Sequence, residues 1–312
     1  LQRILGDPAS ACRVVREAMT GRQTSMRDSI TACCHAIGAD PLLVQGAGGN
    51  VSWKESDTLW IKASGTWLAE ANTKDIFVPV DLAQFKSALA ADDFGVTPKV
   101  SGTSTLRPSI ETMLHALMPH PVVVHLHAVE ILAHLVRDNF EKTFDALLKD
   151  PLRWVSVPYR KPGAALAQAV ADALERTPGA NVVFLRNHGV VIGGADVAAV
   201  ERILLDLIST LATQPHRAVD VAKLHSSPVV VDEVLRYVPV SDVEVQRLAL
   251  DGALFDRLSV NWVLYPDHVV FLGPKAACYP SIDSLMAEVR QHDDSPELVF
   301  VRGGGVYAKP GF

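Results

Sequence analysis

Three histidines have the spacing and surroundings of a metal site. His125 and His127 stand one residue apart at the end of an apolar run, Pro-Val-Val-Val-His-Leu-His, and His188 closes a second run, Val-Val-Phe-Leu-Arg-Asn-His. Alternate residues of a β-strand point to one face, so the first two imidazoles would lie side by side. An isolated strand histidine is usually structural, but three neutral imidazoles with an open fourth position are typical of catalytic zinc sites. The pattern favours ligation of Zn²⁺, or of Mn²⁺, Co²⁺ or another divalent cation.

A carboxylate precedes the histidine pair. Glu111 lies fourteen residues before His125, on a helix that we predict over residues 110–117 because a Pro-Ser pair precedes it. It could be a fourth ligand or a general base, or a solvated glutamate favoured in a first turn by the helix dipole. His115, four residues later, shares its helix face. We expect His115 to be a helix-surface or interface residue.

A glycine-rich segment, residues 46–52, contains several groups that could bind an anion. It is neither a P-loop nor a dinucleotide fingerprint, because it lacks Gly-Lys-Ser/Thr and precedes a predicted hairpin instead of a helix. Glycines let backbone N–H groups approach an anion, and Asn50 with the Ser64-Gly65 pair would add neutral donors. A tight turn followed by an ordinary strand end is the simpler alternative.

Composition excludes some classes of function. The 312 residues are 48% hydrophobic and 21% charged, with a net charge of −6, which suits a globular protein and argues against a nucleic-acid surface. The four cysteines show no CxxC spacing or disulfide framework, so we predict a reducing, cytoplasmic location. No apolar stretch reaches the roughly 18 residues of a membrane span, and we expect neither a signal peptide nor a membrane partner.

Hydrophobic periodicity divides the chain into two regions. Helices are predicted over 10–38, 110–117, 128–137, 164–176 and 196–213, and strands over 51–54, 58–63, 122–127, 181–185 and 190–192. This mixture indicates a layered α/β domain over residues 1–215. In a smaller α+β extension over 216–312, strands are predicted at 229–231, 262–265, 269–272, 298–301 and 306–307, with hairpin turns at 266–267 and 303–305.

Six motifs in order support a family resemblance. They are Gly-Gly-Asn-Val-Ser at 48–52, Ser64-Gly65, Pro108-Ser109-x-Glu111, His125-x-His127, Tyr159-x-x-Pro162-Gly163 and Asn187-His188-Gly189. Together they resemble the class II aldolase/adducin family over about residues 25–212. The resemblance implies a three-layer α/β/α sandwich with a mostly antiparallel central sheet. It also implies a homotetramer with active sites at subunit contacts.

The resemblance also implies roles for individual residues. His125, His127 and His188 would be the metal ligands, and Glu111 would be the acid/base residue. Asn50, Ser64, Gly65 and Ser109 would hold a substrate phosphate or an equivalent anion. Two departures affect that anion site. Ile110 stands where family members often have a second serine, and Lys62-Ala63 stand where they often have Thr-Pro, so Lys62 could offer a cation to a phosphate or a carboxylate.

The implied reaction is carbon–carbon bond cleavage or formation in a sugar phosphate or related hydroxy-ketone. A divalent cation would stabilise the enediolate, and no lysine Schiff base would be needed, so neither Lys54 nor Lys62 would be an essential nucleophile. A pentulose-phosphate 4-epimerase and a 3-oxo-acid decarboxylase of the same superfamily remain alternatives. A non-catalytic, adducin-like scaffold is another, although it predicts loss of the ligand set. The 265–270 and 301–306 segments look similar to the region after the aldolase part in fused aldolase/short-chain dehydrogenase proteins, but no dinucleotide site is expected.

Overall fold

The chain divides into two units, each with its own sheet. The computed structural model describes residues 25–149, 152–213, 228–230, 236–289 and 295–311. The residues up to 213 belong to the first unit and those from 228 onward to the second. Residues 10–24 of the first predicted helix lie outside the described residues.

A seven-stranded sheet forms the centre of the first unit, in the order β3-β2-β1-β4-β7-β6-β5. Its strands are β1 Asn50–Glu55, β2 Thr58–Lys62, β3 Phe77–Asp81, β4 Val122–Leu126, β5 Trp154–Val157, β6 Val182–Leu185 and β7 Gly189–Gly194. Every neighbouring pair is antiparallel except β5 and β6. The predicted, mostly antiparallel sheet is therefore confirmed.

Helices cover both faces of this sheet. They are α1 Met26–Gly38, α2 Leu82–Ala90, α3 Thr112–Leu117, α4 Val129–Leu135, α5 Phe140–Leu147, α6 Ala164–Arg176 and α7 Val197–Thr210. Apolar residues of α1, α4, α5 and α7 pack on one face, and those of α2, α3 and α6 on the other. The predicted three-layer α/β/α arrangement is confirmed.

Alternate side chains of β4 point to the two opposite faces of the sheet. Val122, Val124 and Leu126 contribute to the core beneath α1 and α7, whereas Val123 contributes to the core beneath α3 and α6. His125 is two residues after Val123 and therefore lies on the α3 face of the sheet. The strand therefore buries valines on both faces of the sheet and places the imidazole of His125 on the α3 face, near the carboxyl end of the strand.

Local signals explain where several elements begin. Ser25 caps α1 and forms a reciprocal capping box with Asp28, which satisfies otherwise unpaired backbone donors. Asp196 caps α7 through the backbone N–H of Ala199. The β1–β2 hairpin turns at Ser56, which has a positive φ of 54°, as two-residue hairpin loops require.

The second unit contains a five-stranded sheet in the order β10-β11-β12-β9-β8. Its strands are β8 Val229–Val230, β9 Arg236–Pro239, β10 Ala277–Tyr279, β11 Leu298–Val301 and β12 Gly305–Ala308. Its helices are α8 Val243–Leu250, α9 Gly252–Leu258, α10 Pro266–Leu272 and α11 Ile282–Val289. The predicted hairpin turn at 303–305 joins β11 to β12, with positive φ at Gly303 and Gly305. Residue 231 of the predicted 229–231 strand lies outside the described residues.

Two predicted strands of this unit are wrong. Residues 262–265 are irregular, and residues 269–272 belong to helix α10. Pro266 occupies the first turn of that helix, where its missing N–H costs nothing and its fixed φ suits a helix. The predicted Pro-Asp hairpin turn is therefore a helix start. Within the described residues, no helix combines the length and the apolar character that a bilayer span requires.

Candidate metal centre

Two chain segments bring the three histidines together. His125 lies in β4 and His127 just beyond its end, while His188 lies in the turn between β6 and β7. Because β4 pairs with β7, with Leu126 opposite Val190, the turn before β7 lies against the end of β4. All three side chains are buried, and one ring nitrogen of each lies within 4.8 Å of the others. Nε2 of His125 and Nε2 of His127 are 3.2 Å apart.

The tautomer of His125 is set by a backbone contact. Its Nδ1 lies 3.1 Å from the carbonyl oxygen of Val190. A carbonyl only accepts, so Nδ1 carries the proton and Nε2 presents its lone pair to the centre. Burial lowers the pKa of His125 to about 3, although the Glu111 charge opposes this. The imidazole is therefore neutral at physiological pH, which is the form that binds metals.

Glu111 faces the histidines from the start of α3. The helix begins at Thr112 and not at residue 110 as predicted, so Glu111 is its N-cap residue. Its Oε1 lies 3.2 Å from Nε2 of His188 and its Oε2 lies 3.5 Å from Nε2 of His125. Burial alone would raise the pKa of this carboxyl, but the three imidazoles hold it well below its usual range.

The donor set fits a divalent cation. Three imidazole nitrogens and one carboxylate are the ligand types that Zn²⁺ and related ions accept. A buried carboxylate also needs a nearby positive charge to offset its lost hydration. Within the described residues, these three histidines are the group whose ligand atoms converge closely enough to hold an ion.

Two of the predicted anion-binding residues contact Glu111 directly. Asn50 donates from Nδ2 to Oε2 of Glu111 over 2.8 Å. The hydroxyl of Ser109 accepts from the backbone N–H of Glu111 at 3.2 Å. These bonds hold the carboxylate in position, and both residues are buried at the centre.

Ser64 and Gly65 lie on a neighbouring loop. Ala63 forms a bridge with Pro108, and the backbone N–H of Ser64 donates to the carbonyl of Arg107. Ser64 and Gly65 thus run beside the segment that carries Ser109. Ser64 is exposed and a Cβ built on Gly65 would meet open space, so a ligand can reach this loop.

Lys62 supports the site from inside the protein. Its side chain is buried, and Nζ donates to the carbonyl of Ala47 at 3.0 Å and, more weakly, to that of Ala63 at 3.5 Å. The lysine therefore connects the glycine-rich segment to the end of β2. Burial lowers the pKa of its ammonium to about 8, against the opposing charges of Cys34 and Glu111.

His115 is the clearest error of the sequence analysis at the site. Instead of lying at a helix surface it is fully buried, because the α3 face that carries Glu111 is turned toward the sheet. Its Nδ1 lies 2.7 Å from the hydroxyl of Ser52. Burial lowers the pKa of His115 to about 3, so the ring is neutral. Its spacing of four from Glu111 placed both residues on one helix face, but only the tertiary structure shows that this face is buried.

The sequence analysis gave Gly189 no role beyond its place in the Asn187-His188-Gly189 motif. A Cβ at this position would lie 2.4 Å from the carbonyl oxygen of Leu126 and 3.0–3.1 Å from the rings of His127 and His125. A glycine therefore lets β7 approach β4 at the point where the histidines meet.

The chain belongs to the class II aldolase/adducin family. Residues 28–212, more than half of the chain, match the family described as Class II Aldolase and Adducin N-terminal domain. This matches the range that carries the six motifs, so the predicted family is confirmed.

Two relatives and one solved structure are similar to this chain. It is 30% identical over 174 residues to the Uncharacterized oxidoreductase YuxG of Bacillus subtilis (strain 168), which is 51% of this chain but only 25% of that protein. It is 30% identical over 165 residues, or 52% of its length, to an L-fuculose phosphate aldolase of Methanococcus vannielii, covering 80% of that protein. The N-terminal Class II Aldolase domain of a Thermoplasma acidophilum protein superposes with a TM-score of 0.51 at 28% identity, covering 61% of this chain and 94% of that one.

Proposed function

We propose that this chain is a divalent-metal-dependent lyase of the aldolase type, acting on a sugar phosphate or related hydroxy-ketone. One observation carries the proposal: nitrogens of three buried histidines lie within 4.8 Å of one another, beside the Glu111 carboxylate. His125, His127 and His188 would hold the cation, with zinc the first candidate. When bound, that cation would supply Lewis-acid polarisation of the substrate carbonyl.

Glu111 moves the proton in this proposal. In the direction of bond formation, its carboxylate takes a proton from the carbon next to the ketone, the enediolate so formed adds to the aldehyde carbon, and the resulting alkoxide takes up a proton from solvent. In cleavage, the hydroxyl on the carbon that becomes the aldehyde loses its proton to solvent, the carbon–carbon bond breaks to release the aldehyde, and Glu111 returns a proton to the enediolate carbon. General acid–base help of this kind contributes roughly 10²–10⁴-fold in rate. The hydrogen bond from Asn50 and the backbone contact of Ser109 keep the carboxylate at the site.

We further propose that the loop of Ser64 and Gly65, with Ser109 and Asn50, binds the substrate's anionic group. The exposed Ser64 and the open space at Gly65 support an approach from this side. Lys62 contributes a buried positive charge behind the same loop and holds the backbone of Ala47 and Ala63. L-fuculose phosphate, the substrate in the name of the Methanococcus vannielii relative, is the first compound to test.

Two related reactions use the same groups. A pentulose-phosphate 4-epimerase would break and rejoin the same kind of bond, and a 3-oxo-acid decarboxylase would also pass through an enolate. A non-catalytic scaffold of the adducin type has no need of a buried carboxylate among three imidazoles. Retention of His125, His127, His188 and Glu111 therefore argues for an enzyme.

A screen of donors and acceptors separates these functions. Purified chain loaded with Zn²⁺ or Mn²⁺ would be incubated with L-fuculose phosphate, and separately with dihydroxyacetone phosphate, dihydroxyacetone or pyruvate plus lactaldehyde or glyceraldehyde. Released or consumed aldehyde is the expected result, with none for His125→Ala. Clean interconversion of pentulose phosphates would instead support the epimerase. Absence of both stoichiometric metal and turnover would support the scaffold.

We also propose a cytoplasmic homo-oligomer, with a tetramer as the expected state. Cys34 and Cys278 are free thiols in the described part of the chain, which fits a reducing compartment. Ile110, next to Glu111, is 71% exposed, and such an apolar side chain beside the site fits a subunit contact. Light scattering of the purified chain tests the assembly.

A further inference from the structure

Two side-chain contacts join strand β1 to helix α3 and its N-cap residue. We call the contact at Glu111 the outer contact and the contact at His115 the inner contact, and the proposed reaction explains only the outer one. The outer contact pairs Asn50 with Glu111 at 2.8 Å. The inner contact pairs Ser52 with His115 at 2.7 Å, and neither of these two side chains is accessible to solvent. A serine and a histidine without solvent access therefore contact each other through Oγ and Nδ1, one helical turn beyond Glu111.

The spacing of the two contacts is matched on both elements. Two residues along a strand advance by about 6.7 Å, and four residues along a helix advance by about 6 Å. Asn50 and Ser52 therefore face Glu111 and His115 at nearly equal intervals. Strand register extends this alignment to the metal ligands, because Asn50 is opposite His125 and Ser52 is opposite Val123 in β4.

Helix α3 depends on tertiary contacts to hold its position, and the Ser52–His115 contact is one of them beside the apolar packing of Met113 and Leu114. It has only six residues, and the side chain of its N-cap residue, Glu111, makes no capping hydrogen bond. A helix this short is unstable by itself and depends on tertiary contacts. A hydrogen bond between buried groups also restricts how the two elements pack, because leaving either group unpaired costs free energy of folding.

We propose that Ser52 and His115 are positioning residues for Glu111. Their contact fixes α3 against β1 and so sets the height of the Glu111 carboxylate over the three histidines. Neither side chain touches the substrate or the cation. The inference rests on the proposed function, since it assigns this pair a part in the reaction that Glu111 performs.

Kinetics of variants with a matched control test this role. Ser52→Ala should lower kcat by about 10- to 100-fold, since a displacement near 1 Å costs about that much, while KM and bound zinc stay within twofold. His115→Asn, which keeps a polar atom near the Nδ1 position, should retain more activity than His115→Leu. The Ser52→Ala/His115→Leu double variant should be no slower than the worse single variant, because the two residues act as a unit.

His134→Leu is the control. His134 is also a buried helical histidine, and its Nε2 contacts a backbone carbonyl, that of Leu211, at 2.9 Å. Its loss should lower the melting temperature without changing kcat. If Ser52→Ala and His115→Asn lower the melting temperature as this control does but keep kcat within twofold, the pair is only structural and the proposal is overturned.

A second measurement separates this inference from the proposed function. If the wild-type chain turns over no substrate in the screen, the proposed function fails, and crystal structures of the wild type and of both single variants decide the positioning role. Loss of the Asn50–Glu111 contact in the variants supports it. An unmoved Glu111 carboxylate in either variant overturns it.

Discussion

The candidate centre places one buried, ionised carboxylate against three imidazoles. Burial keeps the pKa of His125 low, while the imidazoles keep the pKa of Glu111 below its usual range. Both effects lower a pKa, which leaves the imidazole of His125 neutral and the carboxyl of Glu111 ionised. These are the protonation states in which each side chain can bind a cation or accept a proton.

Glu111→Gln tests whether the histidines bind the metal without the Glu111 carboxylate and whether that carboxylate is needed for turnover. We expect bound zinc to remain near the wild-type amount, because the three histidines are intact, while kcat falls roughly 10²–10⁴-fold. Metal analysis and steady-state kinetics measure the two quantities. The exposed Glu55→Gln variant is the control and should be unchanged in both. Near-normal turnover of Glu111→Gln would remove Glu111 from the proposed reaction.

Lys62 predicts a specific dependence of stability on pH. Its pKa is lowered to about 8 in the folded chain by burial, against about 10.4 in an unfolded chain. Between these values the unfolded chain binds more protons, so the free energy of unfolding should rise with pH in this window. Lys62→Met lacks the contribution, so from pH 7 to pH 9.5 the wild type should gain stability relative to this variant in urea denaturation. Parallel pH curves for the two proteins would contradict the prediction.

At the scale of elements, the β4–β7 pair determines whether the histidines can meet. The turn before β7 contains Asn187 with φ of 52°, a left-handed conformation that asparagine tolerates better than most residues. His188 and Gly189 follow, and Gly189 leaves no room for a side chain beside β4. The site is thus built on strand register and close backbone approach.

Gly189→Ala tests that close approach. The added Cβ would press on the backbone of Leu126 and on the rings of His125 and His127, so the strands must separate. We expect at least a tenfold loss of zinc affinity by competition with a chelator, comparable to the roughly 10–100-fold effects of residues that orient ligands. Gly95→Ala is the control, because its nearest atom would be at 3.6 Å, and it should bind zinc normally. Equal affinities of the two variants would refute the explanation.

At the scale of the whole molecule, each unit has its own core. Apolar residues cover both faces of the seven-stranded sheet, and two further clusters cover the five-stranded sheet, with Val299 and Phe300 on opposite sides. The proposed site draws all its residues from the first unit, which supports our proposal that residues 1–215 form the catalytic domain.

Zinc should therefore stabilise the chain through the first unit. At a zinc concentration about 100-fold above its dissociation constant, binding to the folded state adds about 2.7 kcal/mol. That corresponds to a rise of roughly 5–10 °C in melting temperature for a unit of this size. Calorimetry of chelator-treated chain before and after adding zinc measures the shift, which His125→Ala should lack. A shift of equal size in that variant would place the stabilising zinc elsewhere.

Much of this protein can be predicted from local sequence. The helix at 164–176, the hairpin of β1 and β2 and the glycine turn at 303–305 agree with their predictions, because capping, periodicity and turn residues act over short distances. The six motifs identified the family, and the His-x-His spacing indicated a shared face. Strand β3, helix α2, helix α5 and strand β5 were not predicted, although local signals for the two helices exist. Asp81 caps α2, and the buried Phe140 and Phe144 of α5 are four residues apart.

Only the tertiary structure decided which of these residues meet. His188 comes 61 residues after His127, and strand pairing alone brings the two rings together. The burial of His115, the backbone contacts of Lys62 and the fit of Gly189 depend on neighbours from other elements, which no local pattern contains. Sequence alone determined the residue types for metal and proton chemistry, because types and spacings are local. Packing of α3 on β1 and of β7 on β4 determined their geometry, because distances between remote segments exist only in the folded chain.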